Sequence, residues 1–185
     1  MDEDSKIRQF VAGNADALCE LVDAHRASLF SFILHMTGGR DDADEIFQEV
    51  WIKALQALPR YEHRQRFASW LFKIAHRTII DRSRRKKNVS SFDHGIENLD
   101  LPHTADHRTP FSSLANHELG HTILAAVNRL PDAQKEVFLL RMEADFSFKE
   151  IARIQKTSIN TALARMAYAL EKLRDQLGNT YREMT

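Results

Sequence analysis

Ten lysines and arginines crowd into residues 60 to 88, against two acidic side chains. Solubility alone does not need that density. The leading part of this segment, Arg60, Tyr61, His63, Arg64, Arg66 and Phe67, interleaves cations with aromatic rings. Such a mixture can stack single-stranded bases while neutralising their phosphates. Farther along, Lys73, Arg77 and Arg84 fall within an arc of about 40° at the helical 100° per residue, a geometry suited to a nucleic-acid backbone. The segment then runs out in the charged string Arg82, Arg84, Arg85, Lys86, Lys87. The bland alternative is a solvated charged face, with Phe67 and Trp70 in the core; Phe67 fits both sets, and Trp70 fits the core better.

The preceding helical stretch has the opposite character: Asp41, Asp42, Asp44, Glu45, Gln48 and Glu49 share its polar side. Carboxylates repel DNA, so this is either a solvated face or a docking surface for a basic protein partner, and spacing leaves both open. Near the other end, Ser147 and Glu150 form the S-x-x-E pattern of a capping box, opening a short helix to Ile154. A turn of about three residues follows, then a longer helix capped by Ser158 or Thr157 and running to about Leu177. Short helix, turn and longer helix is the helix-turn-helix pattern, which places its second helix in the DNA major groove.

Catalytic chemistry has no foothold. Six scattered glycines make no phosphate loop, and no nucleophile, base or metal set converges. No enzyme activity, cofactor or small-molecule substrate is expected. Histidines 94, 103, 107, 117 and 121 crowd one stretch, two pairs at i, i+4 spacing, but without supporting cysteines a metal site is not expected there. The single cysteine, Cys19, excludes an internal disulfide and reads as a core residue among apolar helical positions.

These residues require helices to position them. Leu18, Leu21, Val22, His25, Leu29, Phe32, Ile33 and Met36 repeat at three and four residues until Gly38 and Gly39. Ala43, Ile46, Phe47, Val50, Trp51, Ala54, Leu55 and Leu58 continue the period until Pro59. A third stripe, Phe67, Trp70, Leu71, Ile74, Ala75, Thr78 and Ile79, carries the cations. From about Asn88 to Phe111 periodicity gives way to Ser, Asp, His, Pro and Gly, the composition of a linker. Helical period then returns with Leu119, Ile123, Leu124, Val127 and Leu130, and Pro131 opens the next helix. No strand signal or repeat intervenes. The expected fold is all-α: a helical domain over 1–87, a linker over 88–114 and a helix-turn-helix domain over 115–185.

Charge follows the same partition. The net formal charge of the 185 residues is zero, yet residues 1–59 carry −6, residues 60–88 carry +8, residues 89–121 carry −4 and residues 122–185 carry +2. Such sorting offers one surface to phosphate and another to protein. No apolar run is long enough to span a membrane, and the acidic start is unlike a signal sequence, so a cytoplasmic protein beginning near Met1 is expected.

The run Asp44-Glu45-Ile46-Phe47-Gln48-Glu49-Val50-Trp51, then Phe67-Ala68-Ser69-Trp70-Leu71-Phe72-Lys73-Ile74-Ala75 and Ile80-Asp81-Arg82-Ser83-Arg84-Arg85, resembles conserved region two of bacterial sigma factors. Leu130-Pro131-Asp132, Glu136-Val137-Phe138-Leu139-Leu140-Arg141, Glu150-Ile151-Ala152 and the stretch 161–174 resemble region four. Two regions and a linker, covering residues 15 to 177, resemble the small extracytoplasmic-function type. That resemblance implies a transcription initiation factor. It makes Asp44, Glu45, Gln48 and Glu49 contacts to core RNA polymerase. Arg60, Tyr61, Arg64, Arg66, Phe67, Lys73, Arg77, Arg84 and Arg85 would melt and hold the minus-ten promoter element. Ser158, Asn160, Thr161, Arg165 and Tyr168 would read the minus-thirty-five element, and an anti-sigma factor would hold the protein inactive.

Several residues depart from the pattern. Thr161-Ala162-Leu163-Ala164-Arg165 stands where Thr-Val-Lys-Ser-Arg is usual, and Tyr168 replaces a commonly basic residue. Leu163 and Ala164 could then offer only apolar contact to thymine methyls. Gln155-Lys156 replaces the usual leucine and glycine of the turn, so Lys156 is expected to adopt a strained or different turn. The rival reading is a two-domain regulator that binds duplex DNA without polymerase.

Overall fold

A computed structural model of the chain describes residues 2–62, 66–89 and 118–183, and every regular element among them is helical. The chain divides into two compact units, Met1–Ala105 and Asp106–Thr185.

In the first unit, α1 (Glu3–Val11) leads into α2 (Ala15–Thr37), α3 (Arg40–Ala57), a 3-10 turn (Leu58–Arg60) and α4 (Phe67–Val89). Helix α2 ends because Gly38 takes φ 75°, a left-handed conformation that costs glycine nothing, and its N–H caps the Leu34 carbonyl. Helix α3 gives way to the tighter 3-10 turn where Pro59 removes a donor. The apolar periods face inward as expected. Leu21, Leu29, Phe32 and Ile33 of α2, Ile46 and Val50 of α3, and Leu71, Phe72 and Ala75 of α4 are buried, and α2 packs against both α3 and α4. Each such large side chain contributes about 1.5–3 kcal/mol by leaving water.

Helix α1 is an element the apolar periods did not assign. Only Ile7 marks its inner face, at 2% exposure, and Gly13 at φ 103° turns the chain into α2. The helix is tied down by polar contacts, Lys6 Nζ to Glu20 at 3.0 Å and His25 Nε2 to Glu3 at 2.8 Å. Burial pulls the His25 pKa below its ordinary 6.5, against the opposing pull of Glu3. Cys19 corrects another expectation. It is exposed, because Ala17 and Leu21 occupy the inward face and a residue two positions from each lies about 200° away around the helix.

In the second unit, α5 (Glu118–Asn128), α6 (Asp132–Glu143), α7 (Phe148–Ile154) and α8 (Ile159–Glu183) follow in order, with α5, α6 and α7 each packed on α8. The Ser147 and Glu150 capping box forms in full, with Ser147 N donating to the Glu150 carboxylate at 2.9 Å. Ile151, Ile154, Leu139, Leu140 and Phe146 close the core between α6, α7 and the turn before α7. Helix α4 continues through Asn88 and Val89, two residues beyond the expected domain edge, while the rest of the expected linker lies outside the described residues.

Candidate nucleic-acid interface

Helices α3 and α4 of the first unit present opposite charge on neighbouring surfaces. Asp44, Glu45 and Gln48 are exposed on α3, and Glu49 is half-buried beside Lys53, whose Nζ lies 2.7 Å away. On α4, Arg77, Arg84 and Arg85 are exposed and Lys73 is half-buried, one turn before Arg77. Arg82, absent from the expected contact set, pairs with Glu45 and lies 3.8 Å from Asp42. Lys53 also crosses between the helices, donating to Thr78 Oγ1 at 3.1 Å. The acidic face is therefore partly satisfied internally: Glu45 is engaged by Arg82 and Glu49 by Lys53, while Gln48 and Asp44 lie outward. Arg40 stands 3.8 Å from Asp44 at a separation where an exposed pair is worth little. No local pattern could have found Arg82, since its partner is 37 positions away in the chain.

The loop between the 3-10 turn and α4 behaves differently from its sequence reading. Arg60 and Arg66 are exposed at its two ends, and Arg64 lies outside the described residues. Tyr61, expected to stack on bases, and Phe67, expected both there and in the apolar stripe, are core residues at 8% and 1% exposure. Their rings are 6.0 Å apart, and Trp70 completes the group at 5.0 Å from Tyr61 and 5.5 Å from Phe67. His25 closes on Phe67 at 5.4 Å. Edge-to-face and tilted rings at such distances stabilise one another beyond their burial, which explains why the loop ends turn inward. Burial, together with the Asp4, Glu3 and Asp2 carboxylates at the start of α1, pushes the Tyr61 hydroxyl pKa up to about 12. The aromatic pair thus anchors the cationic loop instead of facing outward, and half-buried Trp70 joins it.

In the second unit, residues 155–158 join α7 to α8. Lys156 adopts φ 52°, the strained turn expected where glycine is usual. Thr157 N donates to the Ala152 carbonyl at 2.9 Å across it, the six-to-one bond that closes a left-handed helix end. Ser158 caps α8, its Oγ accepting from Thr161 N at 3.0 Å and lying 2.8 Å from Thr161 Oγ1. Thr161, Arg165 and Tyr168 share an arc of about 60° on α8, with Asn160 set to one side. Tyr168 is 58% exposed and Asn160 is exposed, whereas Thr161 and Arg165 are half-buried. Arg165 Nη1 donates to Gln155 Oε1 at 2.7 Å. Leu163 does not share that arc. It lies about 160° from Arg165 and about 60° from Asn160, in an exposed apolar stripe with Ile159 and Leu170.

His121 is exposed on α5, and the other four crowded histidines lie outside the described residues. Among the described residues no helix is long and apolar enough to cross a membrane.

An acidic helix beside a cationic one, followed by a helix-turn-helix, is matched region by region in known proteins. The Sigma-70 region 2 family model matches residues 21–89, and the Sigma-70 region 4 model matches residues 121–173. The ECF RNA polymerase sigma factor SigW of Bacillus subtilis is 30% identical over 93% of this chain and 95% of its own length. The chain belongs to the extracytoplasmic-function sigma factors. Sigma factors are transcription initiation factors rather than enzymes, and they bind core RNA polymerase and promoter DNA. Two solved sigma factor structures share the fold. The sigma factor RpoE in complex with the anti-sigma factor NepR, from Bartonella quintana, has a TM-score of 0.73 at 22% identity, over 87% of this chain and 96% of that one. CnrH in complex with the cytosolic domain of CnrY has a TM-score of 0.70 at 20% identity, over 96% and 99%. In this sigma factor the region 2 match lies in α2–α4 of the first unit, the region 2 unit, and the region 4 match lies in α5–α8 of the second, the region 4 unit.

Proposed function

We propose that this sigma factor docks on core polymerase through α3 and holds minus-ten DNA with the loop and α4, while α8 reads the minus-thirty-five element. The observation that carries the reading is the juxtaposition on adjacent helices of exposed Asp44 and Gln48 with exposed Arg77, Arg84 and Arg85. Polymerase meets the acidic side, with Asp44 and Gln48 as its most accessible groups and Glu45 and Glu49 released from Arg82 and Lys53 on docking. DNA meets Arg60, Arg64, Arg66, Lys73, Arg77, Arg84 and Arg85, with Tyr61 and Phe67 bracing the loop from beneath. On α8 the readers are Ser158, Asn160, Thr161, Arg165 and Tyr168.

An anti-sigma protein holds the factor inactive and works with it in the cytoplasm, where the DNA lies. The solved complexes of RpoE with NepR and of CnrH with CnrY support that part of the reading. The test of the docking face is a titration of purified core polymerase with the full chain. Reversing charge at Asp44 and Glu49 together should weaken polymerase binding about tenfold or more, the scale of a few interfacial charges. Unchanged affinity removes α3 as the docking face.

A further inference from the structure

The turn of the helix-turn-helix holds a polar relay. Gln155 Nε2 donates to Glu136 Oε2 of α6 at 2.6 Å and to the Ala133 carbonyl at 3.3 Å. Both amide hydrogens are thereby directed at α6, onto a carboxylate and a carbonyl that can only accept. The amide oxygen is left facing the other way, toward α8, where Arg165 Nη1 reaches it at 2.7 Å. The orientation of this amide is not arbitrary. Turned over, it would set its oxygen against the Glu136 carboxylate and its hydrogens against a guanidinium, which donates only and has no acceptor.

Glu136 is 94% buried on α6, so the relay starts from a rigid base. The turn supplies the middle link by holding Lys156 at φ 52°, which reverses the chain immediately after Gln155. Arg165, half-buried and one turn beyond Thr161, has one guanidinium nitrogen committed to Gln155 and presents its remaining hydrogens from a fixed plane. A guanidinium reads a base edge through paired hydrogens, so the angle of that plane decides which edge it fits.

We propose that Gln155 is a positioning residue that sets the minus-thirty-five base preference of this sigma factor by orienting Arg165 from the turn. It touches no base itself. The proposal rests on the reading that Arg165 contacts the minus-thirty-five element, and deepens it: the preference belongs to the Glu136, Gln155 and Arg165 chain and not to the arginine alone.

The test uses holoenzyme assembled from the full chain and core polymerase, offered a promoter-DNA library randomised over the minus-thirty-five segment. Bound molecules are sequenced for wild type, Arg165→Ala, Gln155→Met, Gln155→Leu and the double variant Gln155→Met with Arg165→Ala. Arg165→Ala should flatten the preference at one or two adjacent positions. Gln155→Met and Gln155→Leu, which keep bulk and lose both hydrogen-bonding ends, should lower discrimination at those same positions about three- to tenfold, within the range of coupled neighbours. In the double variant Gln155→Met should add nothing at those positions, because the group it orients is gone. A residue that only stabilised the turn would instead lower binding to all sequences equally, in both backgrounds. If Arg165→Ala alters the preference and both Gln155 variants keep the wild-type one, the relay is overturned while the Arg165 contact stands. If Arg165→Ala alters nothing, the contact itself is wrong and the relay falls with it.

Discussion

On the proposed reading the two units meet DNA by different means. In the region 2 unit the cations stand on one face of a long helix, with Arg77 and Arg84 exposed and Lys73 half-buried, because the apolar stripe of the same helix points inward. Their chemistry is collective: a backbone phosphate meets whichever cation is nearest, and small errors of placement cost little. In the region 4 unit the proposed readers are few and individually held. Ser158 is engaged as a cap, Thr161 bonds to it, and Arg165 is bonded to Gln155. A surface that binds phosphate needs density, whereas one that reads base edges needs orientation, and each unit spends its polar contacts accordingly.

That contrast can be broken from its most costly point downward. Phe67→Ala should destabilise the region 2 unit by about 3–5 kcal/mol, the usual cost of emptying a buried phenylalanine site, read from urea denaturation of the full chain. A loss below about 1 kcal/mol would mean that the ring is not the loop anchor and that the base-stacking role returns to it. Next, replacing Lys73, Arg77 and Arg84 together by glutamine should leave polymerase binding intact while making the log–log salt dependence of holoenzyme binding to promoter DNA shallower by about 2, as loss of two to three phosphate contacts requires. An unaltered slope would remove α4 from the DNA interface. The smallest effect belongs to the turn. Lys156→Gly relieves a left-handed backbone conformation and should raise the stability of the region 4 unit by about 0.5–1 kcal/mol, after the extra chain entropy of glycine is offset. If thermal melting moves downward instead, the lysine side chain contributes more than its backbone costs.

Much of this protein was legible residue by residue. Periods of three and four located α2, α3 and α4, the S-x-x-E pattern located the start of α7, and the missing glycine announced the strain at Lys156. Such features depend on neighbours within one or two turns, which sequence displays directly. Helix α1 escaped because it buries little apolar surface and is held by Lys6 and Glu3 through partners on α2. Cys19 was misplaced because two positions along a helix separate the core face from the solvent face.

By itself, the order of residues determined that the protein is helical, that its charge is sorted along the chain, and that a cationic helix follows an acidic one. Tertiary packing alone decided that Tyr61 turns inward against Phe67, that Arg82 binds across to Glu45, and that Gln155 stands between Glu136 and Arg165. The physical reason is range. Helical period and capping are satisfied locally, whereas an aromatic ring or a guanidinium chooses among partners that only folding brings within reach.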